Sequence, residues 1–300
     1  MNPIRQGSLE MTAAMVLVGS IGAFVVFSGQ PALDVVFWRC VFGAAALLAV
    51  CAAKGLLRRD LLSRRVLALS ALGGVAIVVN WLLLFGAYRH ASIGVATAVY
   101  NTQPFILVAL GALLFKERPG LDKLAWLALA FGGVVLIVQT RSEASYAGGG
   151  YALGIGMALS AAFFWAVTAI LTKKLTGTPP HLIALIQVCV GILMLAPLAH
   201  WTALPRGFVA WGSLATIGFV HTGLVYILMY SAVQKLPTHL QGSLSFIYPV
   251  VAIVVDLLVF GHRLQPVQLA GTLVVLLAAV GMSRGWSWRM FTSPAPQATK

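Results

Sequence analysis

Ala87–Phe115, AYRHASIGVATAVYNTQPFILVALGALLF, and Ala232–Phe260, AVQKLPTHLQGSLSFIYPVVAIVVDLLVF, follow one plan at a constant offset of 145 residues. The offset carries Pro104 onto Pro249 and Phe115 onto Phe260; continued to Val134 and Ala279, it also carries Arg118 onto Arg263. Identity between the copies is thin, but the order is the same in both. A polar junction leads into an apolar run with an internal proline, then a short turn holding a base, then a Gly/Ala-rich apolar run. A helix needs about 20 largely apolar residues to cross the hydrocarbon core of a bilayer. These runs are long and continuously apolar rather than alternating in segments of about ten, so they read as helices and not as barrel strands.

Working outward from this pair gives ten such runs: Met11–Gly29, Val35–Ala53, Val66–Gly86, Ile93–Phe115, Leu124–Thr140, Tyr151–Thr172, Leu182–His200, Phe208–Val233, His239–Phe260 and Pro266–Ser283. Each half holds five, and because five is odd the second copy enters the membrane in the opposite sense. The expected fold is therefore an all-α membrane protein of ten transmembrane helices in two inverted five-helix repeats. The repeats occupy residues 1–145 and 146–290, with a cytoplasmic tail at 291–300. The Gly-rich stretch Tyr146 to Gly150 reads as the linker; no Gly-Lys-Ser/Thr follows it, so it is not a phosphate-cradling loop. The first run follows Arg5 and imitates a secretory leader, but with nine more spans behind it we read it as retained.

Composition agrees with a bilayer. The 300 residues are 60% hydrophobic and 9% charged, against about 45–50% and about 25% in soluble domains, and the mean hydropathy is +0.95. Seven acids and twenty bases cannot supply the polar shell of a soluble core. Cys40, Cys51 and Cys189 lie inside apolar runs without CxxC spacing and read as packing residues. His90, His181, His200, His239 and His262 fall near span ends without ligand spacing, so no metal and no cofactor is expected.

The net charge of +13 is a topology signal. With the amino terminus inside, fifteen bases fall on the cytoplasmic side: Arg5, Lys54, Arg58, Arg59, Arg64, Arg65, Lys116, Arg118, Lys123, Lys173, Lys174, Lys235, Arg284, Arg289 and Lys300. Arg39, Arg89, Arg141, Arg206 and Arg263 are left for the other side or the membrane. Positive residues favour cytoplasmic loops, so both termini are expected there. Dispersed over short loops, without interleaved aromatics, the bases do not make a nucleic-acid surface. Trp126, Trp201, Trp286 and Trp288 fall near span ends as interfacial anchors.

The order of spans, the Pro31 to Arg39 approach to the second, Phe115-Lys116-Glu117-Arg118 followed by Gly132-Gly133-Val134, and Ser160 to Trp165 in the sixth resemble the EamA type of the drug/metabolite transporter superfamily. The resemblance covers essentially the whole chain. It implies a carrier of the bacterial inner membrane that moves small metabolites by alternating access, frequently outward, with amino acids and their derivatives among the common cargoes.

Inverted-repeat carriers bind cargo near the midplane, where corresponding helices are interrupted. Pro104 and Pro249 mark that place as helix kinks, each freeing a carbonyl four residues earlier, at Tyr100 and Ser245. Gln241, Ser245 and Tyr248 share one helix face, as do Thr97, Asn101 and Pro104, with Tyr100 and Gln103 beside the latter. Asn80 and Trp81 with Tyr88 in the third span, Thr222, Tyr226 and Tyr230 in the eighth, and Trp165 with Thr168 in the sixth complete the polar remainder. At membrane depth such groups face one another or a wet cavity. The expected substrate-binding set is Asn80, Trp81, Tyr100, Asn101, Gln103, Trp165, Tyr226, Gln241, Ser245 and Tyr248, lining an aromatic and amide-rich cavity suited to a small zwitterionic or amphipathic molecule. Interhelical hydrogen bonding and packing are the competing use of the same residues.

Three charged or titratable residues inside spans have competing readings. Asp256 is a candidate proton relay, the partner of a base such as Arg39 or Arg263, or a group that snorkels towards the outer interface. Arg39 binds a substrate carboxylate or phosphate, or pairs locally near Asp34. His221 is a coupling candidate or a hydrogen-bonded packing histidine. The expected function is export of a small polar metabolite, an amino acid or a derivative including opine-like metallophores, with import of a vitamin or other metabolite as the alternative. A membrane enzyme lacks its signatures here, as there is no GxSxG, HExxH or intramembrane acid pair. A cation channel lacks its acidic ring. The expected partners are a small-molecule substrate and the lipid bilayer; one chain suffices for a pathway, and a dimer stays open.

Overall fold

The structure is a computed structural model that describes residues 2–87, 90, 96, 99–117, 119–139, 150–260 and 266–287. Tyr88, Arg89, Thr97, Arg118, the stretch from Tyr146 to Gly149, His262, Arg263, Trp288 and the tail lie outside the described residues. The elements are α1 (Pro3–Gly19), α2 (Ile21–Ser28), α3 (Ala32–Ala53), a 3-10 turn (Arg59–Leu61), α4 (Arg64–Ala87), α5 (Gln103–Phe115), α6 (Leu121–Gln139) and α7 (Tyr151–Lys174). They continue with α8 (Pro180–Leu195), α9 (Phe208–Gly218), a π-helix (Phe219–Leu224), α10 (Val225–Lys235), α11 (Thr238–Ser245), α12 (Ile247–Phe260) and α13 (Pro266–Arg284). No strand occurs among the described residues.

Among the described residues, five helical stretches are long and apolar enough to cross a membrane: Pro3–Ser28, Ala32–Ala53, Arg64–Ala87, Ala152–Lys174 and Phe208–Lys235. Gln103–Phe115, Pro180–Leu195 and Leu269–Met282 are shorter apolar helices. Leu113, Leu193 and Phe208 on these stretches, and Leu258 on α12, are exposed, as on a lipid-facing surface.

Several spans depart from the expected continuous rods. The first breaks at Ser20, whose hydroxyl donates to the Leu17 carbonyl at 2.8 Å and competes with the helical ladder. The seventh stops at Leu195 rather than His200, where Pro197 has no N–H to continue the helical ladder. Pro104 and Pro249 do not kink continuous helices. Each stands in the first turn of a new one, α5 or α12, where a missing N–H leaves no bond unmade. The chain turns just ahead of them, with Thr102 N–H on the Val99 carbonyl at 3.0 Å and Phe246 N–H on that of Ser243 at 3.2 Å. The fourth and ninth spans are thus interrupted at corresponding places.

Contacts between helix ends establish the inversion. Lys235, ending α10, donates to Glu10 near the start of α1 at 2.6 Å, and Lys173, ending α7, pairs with Glu117 just after α5. Glu117 also accepts from Thr238 N–H, at the start of α11, at 3.0 Å. Arg65, opening α4, reaches the Lys174 carbonyl at 3.5 Å. Trp126, early in α6, donates to the Trp286 carbonyl just after α13 at 2.9 Å, and Asp34, early in α3, accepts from His200 N–H beyond α8 at 3.0 Å. Three of these contacts join the start of one span to the end of its counterpart under the offset: α3 with α8, α6 with α13, and the fourth span, which closes with α5, with the ninth, which opens with α11. Neighbours obey the same exchange, since α4 packs on α7 as α10 packs on α1. Among the described residues, most packing is between repeats.

Small residues permit the closest crossings. A Cβ on Gly218 of α9 would lie 2.1 Å from Cβ of Phe42 on α3, and one on Gly133 of α6 would lie 2.8 Å from the Gly271 carbonyl oxygen on α13. Such approach lets helices associate through packing where lipid supplies no hydrophobic drive.

Candidate functional site

Arg39 stands two turns into α3 and is 5% exposed. Its guanidinium carbon lies 3.9 Å above the ring of Trp81 on α4 and 5.9 Å from that of Tyr226 on α10. Its Nε donates to Thr222 Oγ1 at 3.0 Å. Thr222 is held as an acceptor because its own proton goes to the Ile217 carbonyl at 3.0 Å, five residues back along the π-helix. π-Turns of this kind collect at functional positions. Trp81 and Tyr226 meet edge to face with centroids 5.9 Å apart, and Tyr226 and Tyr230 likewise at 5.0 Å. The Tyr230 hydroxyl donates to Gln187 Oε1 on α8. One connected group thus joins α3 and α4 of the first repeat to α8, the π-helix and α10 of the second.

The expected local pairing of Arg39 is corrected by the structure. Asp34 is occupied instead by His200, accepting from its backbone N–H at 3.0 Å and its ring nitrogen at 2.8 Å. Arg39 makes no ion pair with a carboxylate among the described residues, although a buried charge left unpaired is destabilising by several kcal/mol. Stacking on Trp81 recovers roughly 1–2 kcal/mol of that.

Asn80 belongs to a second group on another side of α4. Its Nδ2 donates to the Ala161 carbonyl of α7 at 2.7 Å and to the Tyr100 hydroxyl at 3.2 Å. Asn80 Oδ1 and Gln103 Oε1 are buried and accept no hydrogen bond among the described residues. Asn101, at the break before α5, is buried, and so is Trp165. Thr168 donates to the Phe164 carbonyl at 3.0 Å.

The ninth-span face is used locally. Gln241 Nε2 donates to the Val233 and Leu236 carbonyls at 3.0 and 2.7 Å, closing the turn between α10 and α11, and Ser245 Oγ donates to the Gln241 carbonyl at 2.7 Å. Tyr248 is half-buried beside Pro249. Among the described residues, the hydrogen bonds of Gln241 and Ser245 do not reach the Arg39 group. The ring of His221 bonds Ser20 Oγ at 2.9 Å and the Thr216 carbonyl at 3.3 Å, against Phe24 of α2. Asp256 lies on α12, and its side chain is outside the described set.

Two members of the Arg39 group, Thr222 and Tyr230, stood out in the sequence without entering the expected binding set. Gln187 did not stand out at all; the available signal was an amide in the middle of an otherwise apolar span.

At the end of the bundle where α1 begins and α13 finishes, two acids are tied by bases across the repeats. Glu117 accepts from Lys173 and from Thr238 Oγ1 at 2.5 Å, while Glu10 accepts from Lys235 and from Gln6 at 2.9 Å. Burial alone would raise the Glu117 pKa, but the hydrogen bonds from Lys173 and Thr238 outweigh it and hold the carboxyl below its ordinary value. The opposite end is closed by aromatic packing of Trp38 on Trp211 at 4.8 Å and of Phe37 on Trp201 at 5.2 Å.

Two copies in opposite sense, with polar groups buried where they meet, form the architecture of a membrane transporter. The chain belongs to the EamA-like transporter family, whose model matches residues 6–139 and again 152–284. It is similar to an uncharacterized transporter, YxxF, of Bacillus subtilis (strain 168), at 28% identity over 92% of this chain and 88% of that one. It is also similar to a probable amino-acid metabolite efflux pump of Salmonella typhimurium, at 30% identity over 61% of this chain and 64% of the relative. The threonine/homoserine exporter RhtA of Escherichia coli (strain K12) is 27% identical over 66% and 65% of the two chains. A crystallised protein shares the fold with a TM-score of 0.83 and 18% identity, over 96% of this chain and 99% of that one.

Proposed function

We propose that the protein is a secondary carrier of the bacterial inner membrane, with ten spans and both termini in the cytoplasm, and that it exports an amino acid or amino-acid derivative by alternating access. Opine-like metallophores fall within that class. The observation that carries the reading is the buried group Arg39, Trp81, Thr222, Tyr226, Tyr230 and Gln187, drawn from both repeats. A charge and its polar neighbours at membrane depth mark a substrate path.

Orientation is supported by the bases. Arg5, Lys54, Arg58, Arg59, Arg64, Arg65, Lys116, Lys123, Lys173, Lys174, Lys235 and Arg284 all lie towards the end of the bundle where α1 begins, and Arg206 lies in the loop before α9 at the other. The first is then the cytoplasmic end. In the conformation described it is latched by the Lys173–Glu117 and Lys235–Glu10 pairs. Inward opening breaks these pairs and loads cargo beside Trp81 and Tyr226; outward opening separates Trp38 from Trp211. Export as a direction draws on the efflux functions named for the relatives.

Counterflow in vesicles with a labelled amino-acid panel, vitamins as controls, tests the cargo class. Exchange of an amino acid or derivative, together with protection of cells from toxic amino-acid analogues on overexpression, is the expected result. Exchange of vitamins alone, or sensitisation of the cells in place of protection, overturns it.

A further inference from the structure

We infer that Arg39 is the specificity-determining anchor for a carboxylate on the cargo. This rests on the carrier reading above and narrows it to molecules bearing one negatively charged carboxylate.

The argument starts from how the guanidinium is occupied. Arginine has five N–H donors in a planar fork. In Arg39 the Nε donor goes to Thr222, and one face of the plane lies on Trp81. The four N–H groups on the two Nη atoms have no acceptor among the described residues. Those atoms form the edge that a carboxylate grips with two parallel hydrogen bonds. Thr222 and Trp81 fix the plane of the fork, so the anchor is preorganised and binding orders little further.

Charge decides the ligand class. The group holds one cation and no anion among the described residues, because Asp34, the acid nearest in sequence, is taken by His200. A single carboxylate neutralises it, whereas a phosphate dianion would leave an uncompensated negative charge at membrane depth. The carboxamide of the same cargo has nearly its shape but cannot supply the charge. A site whose buried donors are left unpaired rejects such an analogue strongly.

The test is counterflow by the full-length protein in vesicles, with an amino acid found to exchange set against its carboxamide, which keeps the ammonium and loses only the carboxylate charge. The wild type is expected to prefer the carboxylate by at least about tenfold in KM. Arg39→Gln is expected to bring the two within about threefold by weakening the carboxylate, with carboxamide exchange retained. Arg39→Lys keeps the charge without the fork and is expected to fall between. Equal handling of both compounds by the wild type, a preference that survives in Arg39→Gln, or loss of exchange for both compounds in correctly inserted Arg39→Gln would each overturn the inference. So would a preference abolished by Asp256→Asn, since the countercharge would then belong to this chain.

If no amino acid exchanges, the carrier reading fails on its cargo, and the anchor is judged by binding instead. Thermal stabilisation of the solubilised protein by acetate or amino acids, but not by their amides, and lost in Arg39→Gln, supports it; no stabilisation by any carboxylate refutes it.

Discussion

Glu117 of the first repeat and Lys173 of the second are joined as an ion pair, and Thr238 closes the same carboxylate from a third element. All three lie at the basic end of the bundle, so the pair spans the seam along which an alternating-access carrier has to part there. Removing the charge with Glu117→Gln is expected to destabilise the described conformation by on the order of 1–3 kcal/mol. Because pairing lowers the Glu117 pKa from 4.5, its contribution is full above pH 4.5 and is lost as pH falls through the lowered folded value. Melting of wild type and Glu117→Gln across pH should show a gap that is constant near neutrality and closes in acid. A gap that widens in acid would contradict the sign.

The ring of Trp81 covers the Arg39 guanidinium at 3.9 Å. Trp81→Ala uncovers that charge and leaves a void against Tyr226, so exchange should fall by at least about tenfold; Trp81→Phe, which keeps a weaker aromatic face, should lose less. Initial rates of counterflow at equal amounts of inserted protein separate the two. Equal rates for both variants would mean that the ring only fills space.

Tyr230 and Gln187 are buried and bonded to each other. Tyr230→Phe leaves Gln187 Oε1 unpaired and should cost about 1–3 kcal/mol, whereas Gln187→Leu added to it removes the orphaned amide and should recover part of that loss. A thermal double-mutant cycle reads the coupling. Strictly additive losses would show that the hydrogen bond contributes nothing.

The α3–α9 crossing depends on a missing side chain. At Gly218 an added Cβ meets Cβ of Phe42 at 2.1 Å, and at Gly43 one meets Thr222 Cγ2 at 2.6 Å. Gly218→Ala is expected to destabilise the bundle by roughly 1–3 kcal/mol. Gly43→Ala pushes on Thr222 and should raise the KM for cargo through Arg39 as well. An unchanged KM in an inserted Gly43→Ala protein would separate Thr222 from binding.

Much of the fold was legible because the bilayer enforces it. Long apolar runs had to be helices, and the offset pairing Pro104 with Pro249 exposed the repeat. What those prolines do was not legible. Proline is as compatible with the first turn of a helix as with a kink, and only the turns at Thr102 and Phe246 decide for the former. The site was half legible for a related reason. Trp81 and Tyr226 correspond under the offset and meet edge to face, whereas Gln241 and Ser245 share the ninth-span face and serve their own backbone. Helical spacing gives the direction of a side chain, not which of two available partners it takes. The partner of Asp34 was hidden because His200 lies 166 residues away, while Arg39 is five residues along the same helix.

The two ends of the bundle are fastened by unlike chemistry, Lys–Glu pairs at one and stacked indole and phenyl rings at the other. Ionic strength weakens the first only as far as solvent reaches these partly buried pairs, and leaves the second almost untouched, while cooling weakens apolar contact more than charge pairing. The resting orientation of this carrier is therefore a balance with two separate controls: salt on the basic side moves it one way, and temperature acting on the aromatic side moves it the other.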